Sequence, residues 1–513
     1  MSHLIGVDVG TTGVKAILMD GQGAVRASAT ESYSTSMPQP LWAEQEPEHW
    51  WLACVEAIRC LLQNSSVAGP DIAAVGLTGH MLSLVALDKE GQPVRPCIMW
   101  NDQRSGPQCK DITDQIGFDR LMELTFNPAL PGFLAPKILW IRQNEPDNYV
   151  RIAQILLPKD YIRYRLTGGY ATEVSDASGT ALFDVRNRCW SRDMLDALEI
   201  PAEWLPQCVE SPEVTGTITK QASEAIGLSP GTPVVGGAGD QPAQAVGNGI
   251  VEAGQVSVTT GTAGVVFAAA DGPAFHPQGI LHGFAHALPE AWYLMGVMLS
   301  AGGSLRWYRD ALGQLGKEIG VLTARDSYEL LTAEAEQAPV GSDGLLFLPY
   351  LTGERTPYVD PHARGGWIGL TARHDRHHMV RAVLEGVTFG LRDSLELVRG
   401  LGVEVQRVHA SGGGARSPLW RQIQADIFGT VITVSETEEA AYGAAILASV
   451  GAGFFDSVPD ACRQLIRNES HIEPIPANVS RYNEMYEVYQ QLYHALKPFN
   501  DRLSVFAVQT DQA

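Results

Sequence analysis

A β-branched apolar run extends from Leu4 to Val9, a second from Val14 to Met19, and a third short one begins near Val25. Gly10-Thr11-Thr12-Gly13 separates the first two, and Gly21-Gln22-Gly23 leads into the third. Tight turns between apolar strands predict an antiparallel meander. The period then changes. From Glu48 to Leu62, residues Trp51, Cys54, Val55, Ile58 and Leu62 fall on one helical face, with Pro47 placed for helix entry. Strand patterns return at Ile72–Leu77 and Leu82–Leu87, and strands alternate with helices to about residue 245. That alternation predicts an α/β domain.

The opening pattern then recurs. Val256 to Phe267 again runs an alternating strand into a Gly/Thr turn, Gly261-Thr262-Ala263-Gly264, and out into a second apolar strand. Gly261 lies 251 positions after Gly10, about the length of one large domain. The recurrence reads as an internal duplication, two similar domains facing a cleft, divided as 1–247 and 248–513. A coincidence of two Gly-rich hairpins is the competing reading. The apolar stretch around Leu345 to Leu351 is short enough to be a core strand. Near the C-terminus Tyr482, Met485, Tyr486, Tyr489, Leu492, Tyr493 and Leu496 recur at helical spacing and predict a packing face.

Composition narrows the function classes. Of 513 residues, 45% are hydrophobic and 19% charged, ordinary for a globular protein, and no run reads as a membrane span. The start, Met-Ser-His, lacks the basic region of a secretory signal, so a cytoplasmic location is expected. A formal net charge of −21 argues against nucleic acid and anionic membranes as partners. It leaves room for a small anion, because a few backbone N–H groups and one Lys reverse the field locally. The seven cysteines are scattered with no Cys-x-x-Cys, which predicts reduced thiols.

Asp8 is the first residue with chemical content. A carboxylate inside an apolar strand costs several kcal/mol unless it is paired or metal-bound. Gly10, Thr11 and Thr12 follow directly, a turn in which N–H groups converge on an anion, and Lys15 adds a nearby positive charge. The set suits a Mg²⁺–phosphate complex, with Asp8 on the metal through water, although an Asp capping a hairpin has the same pattern. Ser411-Gly412-Gly413-Gly414-Ala415-Arg416-Ser417 joins a strand to a helix and lets backbone approach a flat ring or a phosphate. It lacks the Rossmann spacing, so NAD is not expected. Ser300-Ala301-Gly302-Gly303 and Ala441-Tyr442-Gly443-Ala444-Ala445 read first as close helix packing. In Gly236-Gly237-Ala238-Gly239-Asp240-Gln241, small residues clear space around one carboxylate, as a general base for a hydroxyl needs. Without further context, an Asp ending a strand in a turn is the simpler reading.

Taken in order, these segments resemble the FGGY family of carbohydrate kinases, within the actin-like ATPases. Ile5 to Lys15, Leu41 to Trp51, Trp100-Asn101-Asp102-Gln103-Arg104, Leu157-Pro158-Lys159-Asp160-Tyr161, Gly353-Glu354-Arg355-Thr356-Pro357 and Gly412 to Gly429 are most similar to the xylulokinases of that family. The resemblance implies an α/β fold of two actin-like (ribonuclease H-like) ATPase domains flanking a deep cleft. ATP, Mg²⁺ and a small sugar are the implied ligands, and dimers are common among relatives. It implies Asp240 as catalytic base and Asp8 as the acidic residue near Mg²⁺. Gly10, Thr11, Thr12 and Lys15 then form a first phosphate turn, and Gly261 and Thr262 a second. Gly302, Gly413, Gly414 and Ser417 fall where relatives meet adenosine or its phosphates. His80, Met81, Leu82, Trp100, Asp102 and Gln241 fall on the sugar side.

One segment departs from the pattern. Many bacterial xylulokinases have Gly-Gln-Met-His-Gly where this chain has Gly79-His80-Met81-Leu82-Ser83. Leu82 makes no hydrogen bond, so a hydroxyl met there by His is left without a partner, and the sugar's identity is open. His80 is the candidate to supply the imidazole from the neighbouring position, although adjacent strand residues point to opposite faces. A partner-binding actin-like ATPase is the rival class; the Trp42 to Trp51 and Trp100 to Asp102 segments argue against it.

Overall fold

The computed structural model describes residues 2–508 apart from 315–316, 319–321, 323 and 436–438. The chain forms two compact units. One comprises Met1–Glu252, Ala269–Tyr293 and Thr437–Arg467; the other comprises Ala253–Ala268, Leu294–Glu436 and Asn468–Ala513. Reading along the chain places one division after residue 247; in space, the 437–467 segment rejoins the first unit.

The predicted meander is present. β1 (His3–Val9), β2 (Gly13–Asp20) and β3 (Val25–Ser32) pair antiparallel in sequence. β4 (Ile72–Gly79) adds parallel to β1, and β5 (Pro233–Val235) parallel to β4, giving the order β5-β4-β1-β2-β3. The second sheet repeats it. β6 (Gln255–Thr260) and β7 (Gly264–Ala270) are antiparallel, with β8 (Trp292–Met298) beside β7. β9 (Arg407–Ser411) runs parallel to β6 and β10 (Ile432–Ser435) parallel to β9. The order β10-β9-β6-β7-β8 matches the first sheet strand for strand. The repeat read from two hairpins is therefore a repeat of a whole five-strand topology, the ribonuclease H-like arrangement of actin-like ATPases.

Strand alternation positions the chemistry. In β1, Ile5, Val7 and Val9 pack toward the helix Pro47–Ser65 in one core. Leu4 packs on the other face, with Ile17 and Met19 of β2, against the helix Ala440–Gly451. Gly6 lies on that second face, where a Cβ would sit 1.9 Å from Ala441 O, and one on Gly76 of β4 would sit 1.9 Å from Ala444 O. The period of two puts Asp8 on the same face as Leu4 and Gly6. Gly443 of that helix approaches the helix Asp240–Gly247 so closely that a Cβ would lie 1.8 Å from Ala243 O. This is the close packing expected of Ala441 to Ala445.

Three local expectations change. The Pro47–Ser65 helix buries Trp50, Trp51, Ala53, Cys54, Ala57, Ile58 and Leu61, so Val55 and Leu62 lie at the margin of the apolar face. The run Leu345–Leu351 gives a strand only over Leu346–Leu348, because Pro349 follows. The run Leu82–Leu87 is a strand only from Val85, since the chain turns at Leu82, whose φ is 70°. The C-terminal tyrosine stripe is a packing face: Tyr482, Tyr486 and Tyr489 are buried around Phe389 at centroid separations of 5.9, 5.9 and 5.3 Å.

Candidate active site

The turn between β1 and β2 has its carbonyls tied back. Gly10 N–H donates to Gly13 O at 3.0 Å and closes the turn. Gly10 O accepts from Tyr33 Oη at 2.5 Å, Thr11 O from Gln45 Nε2 at 2.7 Å, and Thr12 O from Tyr33 N at 3.2 Å. The N–H groups of Thr11 and Thr12 have no partner among the described residues. A turn with bound carbonyls and free N–H groups is a cradle for an anion.

Carboxylates surround this cradle. Asp8 stands opposite Lys15 in the β1–β2 register. Burial, then the charges of Asp240 and Glu439, push the Asp8 carboxyl up to about 7, with Lys15 opposing. Lys15 Nζ lies 2.5 Å from Glu439 Oε1, so its charge is directed to that carboxylate as well as to the turn. Asp8 Oδ1 is buried without a hydrogen-bond partner, and no group of three His, Cys, Asp or Glu forms a cation cage among the described residues. These residues fit an ion that brings most of its own ligands, as Mg²⁺ on nucleotide phosphates does.

Asp240 is placed by glycines. Gly237 takes φ 76° and passes so close to β4 that a Cβ would lie 2.0 Å from Leu77 O. Ala238–Gly239 then pairs parallel with Thr78–Gly79, and Asp240 opens the helix Asp240–Gly247. Gly239 N–H donates to Ser175 Oγ at 3.2 Å. Burial raises the Asp240 carboxyl to about 6, held back by the Gln241 N–H, which donates to Oδ1 at 2.7 Å. Gln241, expected on the sugar, is thus bonded to the carboxylate itself.

Two expectations on the sugar side change, at His80 and at Asp102. His80 is 2% exposed, with Nδ1 2.8 Å from Ser83 Oγ and its ring edge-on to Trp50 at 5.4 Å. Burial lowers its pKa to about 3, so it is neutral and part of the core, with no surface to offer a sugar. Leu82 packs on Gly179, where a Cβ would lie 2.4 Å from Leu82 Cδ2, and its carbonyl accepts from the buried Lys137 Nζ at 2.7 Å. Met81 packs on Gly239, with its sulfur 3.9 Å from Tyr293 Oη. Trp100 is 44% exposed; its backbone N–H donates to Ser83 Oγ at 2.9 Å and its indole N–H to Thr11 Oγ1 at 3.1 Å. Asp102 is fully buried, and its oxygens accept from Arg104 and from Ala43 N–H. A carboxylate so satisfied shapes the loop and is closed to a sugar hydroxyl.

In the second unit, the turn after β6 has the same construction from other parts. Gly261 N–H donates to Ala263 O at 3.0 Å. Gly261 O accepts from Gly302 N at 2.7 Å, and Thr262 O from Ala301 N and Gly303 N, both at 3.0 Å. The N–H groups of Thr262 and Ala263 are free of partners among the described residues. Gly302 packs on this turn, and Gly414 packs on Thr260. Ser417 Oγ caps the helix Pro418–Phe428 by accepting from Trp420 N–H. Gly413 alone of these has open space where a Cβ would be.

Sequence reasoning assigned no role to Tyr33, Gln45, Lys137, Glu439 or Tyr293. Gln45 lies in the Leu41 to Trp51 segment singled out above; the others carry no local signal, since Lys15 and Glu439 meet across 424 positions.

The FGGY family of carbohydrate kinases matches this chain with its N-terminal domain over residues 3–247 and its C-terminal domain over 256–452. The chain is 40% identical to the xylulose kinase of Escherichia coli (strain K12), covering 96% of this chain and 99% of that one. It is 38% identical to the xylulose kinase of Bacillus subtilis (strain 168), covering 99% of both. Among solved structures it resembles the xylulose kinase of Rhodospirillum rubrum, with TM-score 0.90 and 30% identity over 97% of this chain and 100% of that one. Two matched family domains and full-length relatives agree with the twin sheets, and this chain belongs to the FGGY family of carbohydrate kinases.

Proposed function

We propose that this chain transfers the γ-phosphoryl group of ATP to a hydroxyl of a ketopentose, D-xylulose foremost, giving D-xylulose 5-phosphate. The observation that carries the reading is Asp240, a carboxylate raised to about 6 whose charge reaches Asp8 beside the first anion cradle. Near neutral pH it is ionised and basic enough to accept a hydroxyl proton as the phosphoryl group arrives. The free N–H groups of Thr11 and Thr12, and those of Thr262 and Ala263, offer fixed donors to phosphate oxygens. Asp8, through water, would hold Mg²⁺, which when bound neutralises charge on the phosphoryl oxygens. Met81, Leu82 and Trp100 give the sugar side an apolar surface that excludes water, a competing nucleophile. Cytoplasmic residence, where ATP is made, and a homodimer belong to the same reading. No helix among the described residues is long and apolar enough to cross a membrane.

Leu82 favours a second reading, in which the acceptor is another sugar or polyol such as ribulose, a pentitol or gluconate. ADP release measured across D- and L-ketopentoses, pentitols, glycerol and gluconate separates the two. D-xylulose is expected to give the highest kcat/KM. A clear preference for a pentitol or gluconate selects the second reading, and no acceptor-stimulated release from any compound overturns both.

A further inference from the structure

Gln45 bonds to neither Asp8 nor Asp240 among the described residues, yet its amide is fully engaged at 3% exposure. Nε2 donates to Thr11 O and to Thr35 Oγ1, each at 2.7 Å, while Oε1 accepts from Trp50 Nε1 at 2.9 Å. From Trp50 the contacts continue edge-on to the His80 ring at 5.4 Å, and from His80 Nδ1 to Ser83 Oγ at 2.8 Å. Ser83 Oγ accepts from Trp100 N–H at 2.9 Å, and Trp100 Nε1 donates to Thr11 Oγ1 at 3.1 Å. The path returns to the residue where it began. It is a closed ring through Thr11, Gln45, Trp50, His80, Ser83 and Trp100, and four of its six members are buried.

The geometry at Thr11 gives the ring a consequence. A peptide group is planar, so its C=O and the following N–H point in opposite directions. By holding Thr11 O, Gln45 aims the Thr12 N–H away from the core, into the anion cradle. The other side of the ring is the 80–83 loop with Trp100, so a ligand that orders this loop acts on the same residue, Thr11, through its hydroxyl.

We infer that Gln45 is a positioning residue that orients the first phosphate turn and, through Trp50 and His80, makes its affinity for nucleotide depend on occupancy of the sugar side. This rests on the kinase reading above. Binding at either side then changes affinity at the other by the same factor.

Two substitutions in the full chain test the inference. Gln45→Glu is nearly isosteric and still accepts from Trp50, but it presents an oxygen to Thr11 O and no longer donates there. Trp50→Phe removes the indole N–H and leaves the Gln45–Thr11 bond in place. Binding of a non-hydrolysable ATP analogue is measured by calorimetry with and without saturating D-xylulose, beside steady-state KM, kcat and melting temperature. For Gln45→Glu, nucleotide affinity is expected to fall about tenfold, the effect of a buried carbonyl without its donor, with kcat changed less than threefold. For Trp50→Phe, affinity without sugar is expected to stay within twofold of wild type, while the tightening caused by sugar is lost. A purely structural role would lower the melting temperature and kcat with nucleotide affinity unmoved, and that result overturns the inference. So does wild-type protein whose nucleotide affinity ignores sugar. If Gln45→Glu does not fold, Trp50→Phe decides alone: retained sugar-dependent tightening refutes the coupling and its loss supports it. Wild-type protein that phosphorylates no acceptor refutes the kinase reading instead, a separate outcome.

Discussion

The two Gly/Thr turns occupy matching places in matching sheets and reach one end by different means. The first holds its carbonyls with the side chains of Gln45 and Tyr33 and one backbone N–H. The second holds them with the consecutive N–H groups of Ala301, Gly302 and Gly303. Both leave two N–H groups free of partners among the described residues. Their flanks differ more. Beside the first stand Asp8, Lys15 and Glu439; at the position of Asp8, β6 has Thr259, whose hydroxyl lies 2.7 Å from Ser411 Oγ. The phosphate role proposed for both turns asks only for oriented backbone, which two unrelated sets of partners supply. On the proposed reading, moving a proton and holding a metal fall to carboxylates, and among the described residues Asp8 has no acidic counterpart at Thr259 in the second turn's strand.

The largest expected effect tests that division. Asp240→Asn removes the base and leaves both cradles intact, so kcat should fall by about 10³-fold, within the range for losing a general base. Nucleotide binding measured by calorimetry should stay within a few-fold of wild type. Near-normal turnover would detach the chemistry from the charged copy. A smaller effect concerns protons. Asp240 must be ionised to act, and its carboxyl titrates at about 6, so kcat/KM for the sugar should decline as pH falls through 6, by about tenfold between pH 7 and pH 5. A pH–rate profile flat over that range would contradict the assignment. Effects no larger than that come from the second turn. A Cβ at Gly302 would lie 2.6 Å from Gly261 O, so Gly302→Ala should displace the second turn and raise the ATP KM about tenfold with the sugar KM unchanged. Gly413→Ala meets no protein atom within 4 Å, so it should leave the melting temperature unchanged. Any rise in its ATP KM then reports contact with the nucleotide.

What the sequence made legible was local. Strand alternation, the Gly/Thr turns and the strand-ending Asp240 depend on neighbours a few positions apart; the meander, its repeat and the first helix stand where the pattern placed them, while two apolar runs gave shorter strands than expected. The partners that give these elements their chemistry are distant in sequence. Nothing near Glu439 marks it as the partner of Lys15, and no periodicity shows that Gln45 would hold Thr11 O. The apolar run from Leu82 looked like a strand because hydrophobic spacing does not register φ; the turn there accompanies a Lys137 bond to the Leu82 carbonyl. The departure at Leu82 was visible from sequence, whereas the burial of His80 against Trp50 needed the fold.

The helix Ala440–Gly451, seated on Gly6 and Gly76, also sets an order of events during synthesis. The first 252 residues leave the ribosome with the Leu4–Gly6–Asp8 face of their central strand uncovered, because the helix that closes it is among the last segments translated. Domains usually fold as units as they emerge, N-terminal ones first. Here a helix from the other half of the chain closes one face of the N-terminal sheet. Cutting the gene at the boundary its sequence suggests would strand an apolar face in water, and the two halves are best regarded as one obligate product of translation.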